Sequence, residues 1–486
     1  MVDFYINDQL VQADDNQTVM QAAREHGVFI PYFCWHPDLS VPGNCRICMV
    51  EVTAEGGAEG SGWLDIACNM PITRGMRVLT DSERVRARRK ETLQFITLNH
   101  PVDCGICDKA GECTLQDYHV AYNGSPSISR DAKVHATKHY ALSDRIVLDN
   151  ERCILCTRCV RFTREISKSN SLGVQNRGDH SLIRPTEDGA FAADPYSDNV
   201  VDICPVGALL SRDFLHQARV WYLKPTPSVC PGCDRGCAVD IWHRKNEWKL
   251  KSVGTEHNAR IDRVTPRENP AGPWVCNQGR DLAKIFGRAR AVGAMLKGRP
   301  VELDAALRAA RELLKGAKRA VALVSSWASN EELAAFQRLL GSRFDGHVKP
   351  DRFAEPGDVV EDDFLIRADK NPNRAGARAL FPDTPADEHF VVPEGTDLVL
   401  VWGEGYSFAR LPAKAKIIYL NSWLQPENGH ADVFLPISVQ TERRGTYTNG
   451  AGTAGTFEPS FDKPAGVFDA EDLFAGMAVQ AVAVTS

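Results

Sequence analysis

The sequence predicts a multidomain protein whose front part is α+β and whose back part is α/β. The chain has 486 residues, enough for roughly three domains of ordinary size. All 15 cysteines lie between Cys34 and Cys276, and they stand in tight groups. After Cys276, strand and helix patterns alternate, as they do in an open α/β sheet. A cysteine-rich front is thus distinguished from a back that contains no cysteine.

The cysteines indicate metal ligation rather than a disulfide framework. Their number is odd, and the first residues lack the basic and apolar regions of a secretory signal. We therefore expect free thiols in a reducing compartment. Grouped thiolates suit iron–sulfur clusters or structural zinc.

Residues 1–80 have the order of elements of a plant-type ferredoxin. Residues 2–12 alternate as a hairpin, and Thr18 and Gln21 form a capping box that starts a helix over Val19–His26. A cysteine loop and a strand follow, so we expect a β-grasp [2Fe-2S] domain, with zinc as the alternative. The glycine-rich tract 55–62 is expected to be a flexible loop. The expected ligands are Cys34, Cys45, Cys48 and Cys68.

Residues 81–120 contain a predicted helix over 82–98 and then a group in which a histidine stands before three cysteines. The imidazole takes the place of a missing fourth thiolate, which predicts a [4Fe-4S] site. Because imidazole is neutral and thiolate is negative, we expect this ligand to raise the reduction potential. The expected ligands are His100, Cys104, Cys107 and Cys113.

Residues 121–222 carry a cysteine triplet and a later cysteine that precedes Pro205. The pattern resembles a bacterial [4Fe-4S] ferredoxin motif in which the returning cysteine has moved downstream. Only one triplet of this kind is present, so the later cysteine most simply completes it. The expected ligands are Cys153, Cys156, Cys159 and Cys204.

Residues 223–285 contain a fourth group, which resembles the [4Fe-4S] loop that opens molybdopterin oxidoreductases. It is also the group most like a zinc ribbon, so both metals stay open for it. The expected ligands are Cys230, Cys233, Cys237 and Cys276. The 15 cysteines and His100 then make four sets of four ligands, with no thiol left over.

The order of these four groups resembles the large iron–sulfur subunit of NADH-quinone oxidoreductase, respiratory complex I, which in bacteria is the G subunit. The most distinctive stretch is HPVDCGICDKAGECTLQD at residues 100–117. The resemblance implies an electron relay with one [2Fe-2S] and three [4Fe-4S] clusters, and no substrate-converting site in this chain. NADH and FMN would be bound by a partner subunit, and the electrons would pass to a further iron–sulfur subunit on the way to quinone.

The same resemblance implies a peripheral-arm subunit on the cytoplasmic side of the inner membrane, in a complex that translocates protons. The front-half motifs also occur in soluble NAD-linked hydrogenases and formate dehydrogenases, which stay an alternative. A zinc-stabilised scaffold without a redox role is a second alternative. Iron, EPR signals and copurifying subunits distinguish these hypotheses.

Residues 286–486 predict an α/β domain that resembles a truncated molybdopterin oxidoreductase domain. No molybdopterin is expected, because no cysteine remains after Cys276 to bind molybdenum; serine or aspartate stays the alternative ligand. Ser329 is expected to cap a helix. The other predicted elements are a helix over Asp304–Leu314, strands over Ala320–Val324, Leu398–Trp402 and Ile417–Leu420, and an apolar segment over Ala431–Ile437.

Composition and two rejected motifs restrict the function further. A net charge of −6 argues against nucleic acid as the main partner, and no apolar run is long enough for a membrane helix. Gly450, Gly452 and Gly455 match the spacing G-x-G-x-x-G, but Pro459 follows too soon for a phosphate-binding helix, so we expect a loop. The basic run over 84–90 predicts a solvated helix face or a subunit interface.

Overall fold

The computed structural model describes residues 1–54, 56–248, 260–381 and 389–478. It divides into two compact units, Met1–Tyr222 and Leu223–Ser486. None of the described helices is both long and apolar enough to cross a membrane. The division into five domains made from the sequence stays a prediction.

The first unit begins with a five-stranded mixed sheet that encloses one helix. The predicted hairpin turns at Asn7 and Asp8, which both have positive φ. The predicted capping box is confirmed: Gln21 N–H donates to Thr18 Oγ1, and Thr18 N–H donates to Gln21 Oε1 at 2.8 Å. The helix spans Val19–Glu25. The strands in spatial order are Gln9–Ala13, Val2–Ile6, Arg77–Leu79, Met49–Thr53 and Trp63–Ile66.

Strand alternation builds the core of this first domain. The inward-facing residues of the hairpin strands, such as Phe4, Ile6 and Val11, pack with the buried face of the helix. The tract 55–62 joins two antiparallel strands, as expected for a loop, although its residue 55 lies outside the described residues. The helix predicted over 82–98 is observed as Glu83–Thr97, with Ser82 as its N-cap.

The rest of the first unit consists of short elements. Such elements bury little apolar surface. The loops that connect them therefore need other stabilising interactions, such as hydrogen bonds, ion pairs or metal ligation. Its helices are Thr114–Tyr118, Arg158–Glu165, Ala190–Ala193 and Asn199–Ile203, with a π-helical turn at His119–Asn123 and 3₁₀ turns at Gly178–His180 and Val220–Tyr222. Its strands are Tyr140–Ala141, Ile146–Leu148, Leu172–Gln175, Leu182–Pro185 and Leu209–Ser211.

The second unit begins with a small antiparallel sheet. Its strands are Leu223–Val229, Ala238–Arg244 and Arg263–Pro266. The 3₁₀ turn Asn246–Trp248 follows the second strand, and the helices Asn277–Arg280 and Leu282–Phe286 follow the sheet.

A seven-stranded sheet forms the body of the second unit. Five of its strands are parallel, and two short antiparallel strands lie at one edge. The central strands Ala320–Ser325 and Leu398–Trp402 are buried apolar runs. The strands in spatial order are Arg299–Val301, Ala294–Leu296, Val433–Pro436, Lys416–Asn421, Leu398–Trp402, Ala320–Ser325 and Phe344–Lys349. The α/β architecture expected for the back half is therefore present.

Helices pack on this sheet and complete its core. The predicted helix at 304–314 is observed as Leu303–Gly316, and Ser329 caps the next helix as predicted. The remaining α-helices are Asn330–Leu340, Arg374–Leu380, Glu427–His430 and Ala470–Met477. The 3₁₀ turns are Gly341–Arg343, Phe408–Arg410 and Gln440–Glu442, and a hairpin joins Gly445–Thr448 to Ala454–Phe457.

Two local expectations need correction. Gly455 lies in a strand of that last hairpin, so only the first part of the predicted loop at 450–455 is a turn. The basic run at 84–90 is not a uniformly solvated face, because Arg89 is buried. Its guanidinium donates to Met49 O at 3.1 Å and lies 5.3 Å from the centre of the Tyr122 ring. Cation–π attraction and this hydrogen bond stabilise the buried charge.

Candidate metal centres

All 15 cysteines are free thiols. No group of three or more His, Cys, Asp or Glu side chains among the described residues is arranged to hold a single metal ion. An iron–sulfur cluster distributes its protein ligands over two or four iron atoms, whereas zinc gathers four ligands about one ion. The four predicted groups are described in turn as candidate ligand sets.

The first group is brought together by the ferredoxin-like sheet. Cys48 directly precedes the strand Met49–Thr53, and Cys68 follows the strand Trp63–Ile66. The thiols form two hydrogen-bonded pairs, Cys34 with Cys45 and Cys48 with Cys68. The bond from Cys34 lowers the pKa of Cys45 to about 6, and that from Cys68 lowers the pKa of Cys48.

The other two thiols of the first group have raised pKa values. The hydrogen bonds to Cys45 and Cys48 raise the pKa values of Cys34 and Cys68, and burial adds to the effect. The charges of Cys34 and Cys45 also raise the pKa of Cys68. All four thiols therefore lie in one electrostatic neighbourhood, as a four-thiolate site requires.

The second group combines three cysteines with a histidine whose ring is mostly buried. Burial raises the pKa of Cys107, and the neighbouring Cys104 thiol raises it further. Burial also raises the pKa of Cys113, and the Cys107 thiol adds to that increase. Burial lowers the pKa of His100 to about 4, so its imidazole is neutral at pH 7. Its Nδ1 has no hydrogen-bond partner among the described residues. A neutral imidazole with a free nitrogen has the chemistry of a metal ligand.

His100 lines a cavity of about 150 Å³ whose walls include Asn99, Asn150 and Cys153. The structure thus places His100 beside Cys153 of the third cysteine group. Cys104, Cys107 and Cys113 lie close enough to one another for their charges to interact. The ligand role of His100 stays a prediction.

The third group converges in a small apolar cavity. Cys153, Cys156, Cys159 and Cys204 all line this cavity of about 20 Å³, together with Leu148 and Val206. Burial raises the pKa values of the three triplet cysteines, and the Cys204 thiol raises them further. The cysteine before Pro205 therefore lies with the triplet.

The fourth group is held between two strands and a helix start. Cys230 N–H donates to Cys237 O at 2.8 Å at the strand ends, and Cys276 is the N-cap of the helix Asn277–Arg280. Two of the thiols lie close to Gly279, because a Cβ there would be 3.1 Å from Cys230 Sγ and 3.8 Å from Cys276 Sγ. Burial raises the pKa values of all four thiols. The buried Lys370 lowers those of Cys233 and Cys276.

Within the first unit, the third cysteine group adjoins the second. A Cβ at Gly207 would approach Cys107 Sγ more closely than real Cβ atoms do, so only glycine fits there. Thr114 N–H, directly after Cys113, donates to Pro205 O at 3.0 Å. Arg152 donates to Asp103 at 2.6 Å and thereby joins the chain before Cys153 to the chain before Cys104.

The third cysteine group also adjoins the first. Asn44 Nδ2 donates to Leu155 O at 3.2 Å. Arg161 donates to Cys34 O and, at 3.3 Å, to Cys156 O. The third group therefore lies against both of the others, although it comes last of the three in sequence.

The sequence reasoning missed the arginines that make these contacts. Arg152, Arg158 and Arg161 stand directly around the triplet, in the stretch ERCILCTRCVRF at 151–162. Three arginines interleaved with three cysteines were the available signal, since cations favour thiolates and anionic clusters.

The second unit contains a cavity of about 350 Å³ at the carboxyl ends of its parallel strands. Ser325 ends one central strand, Gly403 and Glu404 follow the adjacent one, and all three line the cavity. From these two strands the chain continues in opposite directions along the strand order, which makes this edge a topological switch point. The cavity walls contain no described cysteine.

Comparison with known proteins agrees with the sequence motifs. A model of a 2Fe-2S iron-sulfur cluster binding domain matches residues 1–83. A model of the NADH-ubiquinone oxidoreductase-G iron-sulfur binding region matches residues 89–125. The ferredoxin-like domain of NADH-quinone oxidoreductase subunit 3 matches residues 143–210. These regions define an iron–sulfur protein with a [2Fe-2S] domain and [4Fe-4S] binding regions.

Several relatives are about one-third identical to the chain. The second of the G subunits of NADH-quinone oxidoreductase in Rhizobium meliloti is 34% identical over 70% of this chain and 39% of its own length. The G subunit of the same enzyme in Rickettsia typhi is 34% identical over 58% of this chain and 39% of its own length. In its iron–sulfur part, the chain is similar to the G subunits of NADH-quinone oxidoreductase.

Two further proteins are similar to the chain. The NADPH-Fe(3+) oxidoreductase subunit alpha of Geobacter sulfurreducens is 32% identical over 70% of this chain and 39% of its own length. The chain thus spans about two fifths of the length of these curated relatives. A chain from the crystal structure of the NAD+-reducing [NiFe]-hydrogenase in the H2-reduced state aligns with a TM-score of 0.40 and 27% identity, over 45% of this chain and 91% of that chain.

Proposed function

We propose that this chain is an electron-relay subunit of NADH-quinone oxidoreductase. It takes electrons that originate from NADH and FMN in a partner subunit, and it passes them towards quinone. The observation that carries the proposal is the packing of the third cysteine group against both the first and the second within the first unit. Adjacent clusters are what a one-electron relay needs, because electrons pass between centres over short distances.

The proposed ligand sets are those of the sequence prediction. Cys34, Cys45, Cys48 and Cys68 hold a [2Fe-2S] cluster, and three [4Fe-4S] clusters are held by the sets that begin with His100, Cys153 and Cys230. The fit is supported by the convergence of each set of thiols and by the neutral imidazole of His100 with its free Nδ1.

The contacts support a definite order for the relay. The third group touches both others, so we place its cluster between the clusters of the first and second groups. Cys104 is the cysteine of the second group that reaches the surface, and it is flanked by Val102 and Ile106, which are 89% and 61% exposed. Exposed apolar residues around a redox centre suit a docking surface, so the electron leaves there for the next iron–sulfur subunit.

In this proposal, other subunits of the complex bind NADH and FMN and translocate protons. The NADH- and FMN-binding subunit reduces the first cluster, and the assembly works on the cytoplasmic side of the inner membrane and couples the transfer to proton translocation. The chain itself converts no substrate. The α/β part of the second unit is proposed to be a shortened molybdopterin-oxidoreductase-like domain that holds no molybdopterin.

A second candidate is an electron-transfer subunit of a soluble pyridine-nucleotide oxidoreductase. The observation that favours it is the similarity to the NADPH-Fe(3+) oxidoreductase subunit alpha, which extends over 70% of this chain. A hydrogenase or formate dehydrogenase assembly would belong to the same class.

Iron analysis and EPR of the purified native assembly test the proposal. We expect about 14 iron atoms per chain, from one [2Fe-2S] and three [4Fe-4S] clusters, and reduction of their signals by NADH. Quinone reductase activity in a membrane-bound complex supports the first candidate, whereas a soluble assembly active with hydrogen, formate or ferric iron supports the second. Zinc in place of iron would overturn both.

A further inference from the structure

Two buried arginines lie between the first and third cysteine groups. Arg158 and Arg161 are 7% and 4% exposed, and both belong to the helix Arg158–Glu165 that carries Cys159. Arg158 donates to Trp35 O at 2.6 Å and to Ile203 O at 3.0 Å, so it joins the residue after Cys34 to the residue before Cys204. The helix therefore directs two cations towards the first group.

Arg161 makes a second and closer bridge. Its guanidinium donates to the carbonyl oxygens of Cys34 and Ser40 on one side, and to Cys156 O on the other. Its Nε donates to Thr157 Oγ1 at 3.4 Å. One side chain thus binds the backbone of a ligand from each group.

The hydrogen bonds of the two guanidiniums reach no carboxylate among the described residues, and Arg158 also lies 5.6 Å from the centre of the Tyr32 ring. All of these bonds, among the described residues, end on uncharged carbonyl or hydroxyl oxygens, and Arg158 Nε has no hydrogen-bond partner there. The carboxylate of Glu165 acts on Arg161, but it accepts hydrogen bonds from Ser40. Burying a cation without an anionic partner is costly, so the site calls for a further anion.

Iron–sulfur clusters supply the missing negative charge. A cluster held by four thiolates is anionic, and one-electron reduction adds another negative charge. The thiols of Cys156 and Cys34 favour the charged form of Arg161 and oppose the effect of burial, which lowers its pKa. Both cysteine groups are therefore near enough to interact with this guanidinium.

We propose that Arg158 and Arg161 form a buried cationic bridge that favours the reduced states of the first and third clusters and holds the two ligand sets together for electron transfer. The proposal rests on the proposed function. In the step concerned, the reduced first cluster loses one electron and is oxidised, and the third cluster gains that electron and is reduced. No bond forms or breaks. Arg161 acts through the ligands and is a positioning residue.

The test compares Arg161→Gln with Arg161→Lys in the native holo assembly. Arg164→Gln is the matched control, because Arg164 lies on the same helix with its side chain exposed. Potentiometric titration followed by EPR gives the midpoint potentials of the first and third clusters. In Arg161→Gln we expect both potentials to fall, with about a tenfold lower ratio of reduced to oxidised cluster at a fixed potential, or about 59 mV for a one-electron couple.

The variants distinguish the effect of the arginine charge on the potentials from an effect of the substitution on folding. Arg161→Lys is expected to keep the potentials close to the wild-type values, and Arg164→Gln to leave them unchanged. If Arg161→Gln fails to assemble the clusters, assembly in Arg161→Lys supports the bridge, and failure of the lysine variant as well overturns the charge role. Unchanged potentials in Arg161→Gln and Arg158→Gln also overturn it.

The same experiment distinguishes this inference from the proposed function. Wild-type protein without EPR signals, or with signals that NADH does not reduce, would contradict the relay itself. Intact NADH-reducible signals with potentials that do not respond to either arginine would contradict only the cationic bridge.

Discussion

The two units of the protein differ in the length of their elements and in the size of the apolar core that these elements form. The part of the first unit that follows the ferredoxin-like sheet has short elements and buries charged residues such as Arg152, Arg158 and Asp149 around its cysteine groups. The second unit packs helices against a five-stranded parallel region, with Leu400 and Phe336 in one continuous apolar core. We infer that the first unit depends on its clusters for stability, whereas the sheet of the second unit depends on apolar burial.

Removal of iron should produce the largest difference between the units. After chelation of the clusters, we expect protease cleavage throughout residues 81–222, because these loops lose the ligands that hold them. The core of the seven-stranded sheet should stay protected. Limited proteolysis with mass spectrometry, beside an untreated sample, checks this. Equal cleavage of both regions would contradict the comparison.

Loss of one ligand from the third group should interrupt the relay. In Cys159→Ser, we expect the EPR signal of the third cluster to disappear and NADH-dependent quinone reduction to fall to background, because this cluster lies between the other two. Cys276→Ser is the matched control, since it belongs to the second unit and should remove only the signal of the fourth cluster. Normal quinone reduction in Cys159→Ser would show that the proposed order is wrong.

A core substitution in the second unit should change stability without changing the clusters of the first. Leu400 is fully buried in a central strand, so Leu400→Ala should lower the free energy of unfolding of this unit by about 2–5 kcal/mol. Denaturant titration measures the loss. Leu424→Ala, at an exposed leucine, should cost little. Altered EPR signals from the first three clusters in Leu400→Ala would contradict independent stabilisation.

A larger side chain at the contact between the second and third cysteine groups should affect only the cluster beside it. Gly207→Ala introduces a methyl group against Cys107 Sγ, so we expect an altered EPR signal of the second cluster and a loss of roughly 1–3 kcal/mol in stability. Gly105→Ala is the control, because among the described residues, its two chain neighbours aside, no atom lies within 4 Å of the position that its Cβ would take. Identical spectra for both variants would remove the steric argument.

Replacement of the histidine ligand should be the mildest change. His100→Cys substitutes a negative thiolate for an imidazole that burial keeps neutral, so we expect a retained cluster with a lower midpoint potential. Potentiometric EPR measures the shift. An unchanged signal and potential would show that His100 does not bind the cluster.

Local sequence patterns predicted many elements of both units. The capping boxes at Thr18 and Ser329 specified helix starts because they depend on side chains three residues apart. The apolar runs of the parallel strands were equally readable. The burial of Arg89 was not, because its partners Met49 and Tyr122 lie far from it in sequence.

The sequence by itself determined which side chains could bind clusters, since thiolate and imidazole chemistry resides in single residues at fixed spacings. Only the tertiary structure decided which groups are neighbours. Arg161 and Cys34 are 127 residues apart in sequence, and no local pattern connects Gly207 with Cys107. Such contacts arise when separate segments pack together, and that packing decides how electrons could pass through the protein.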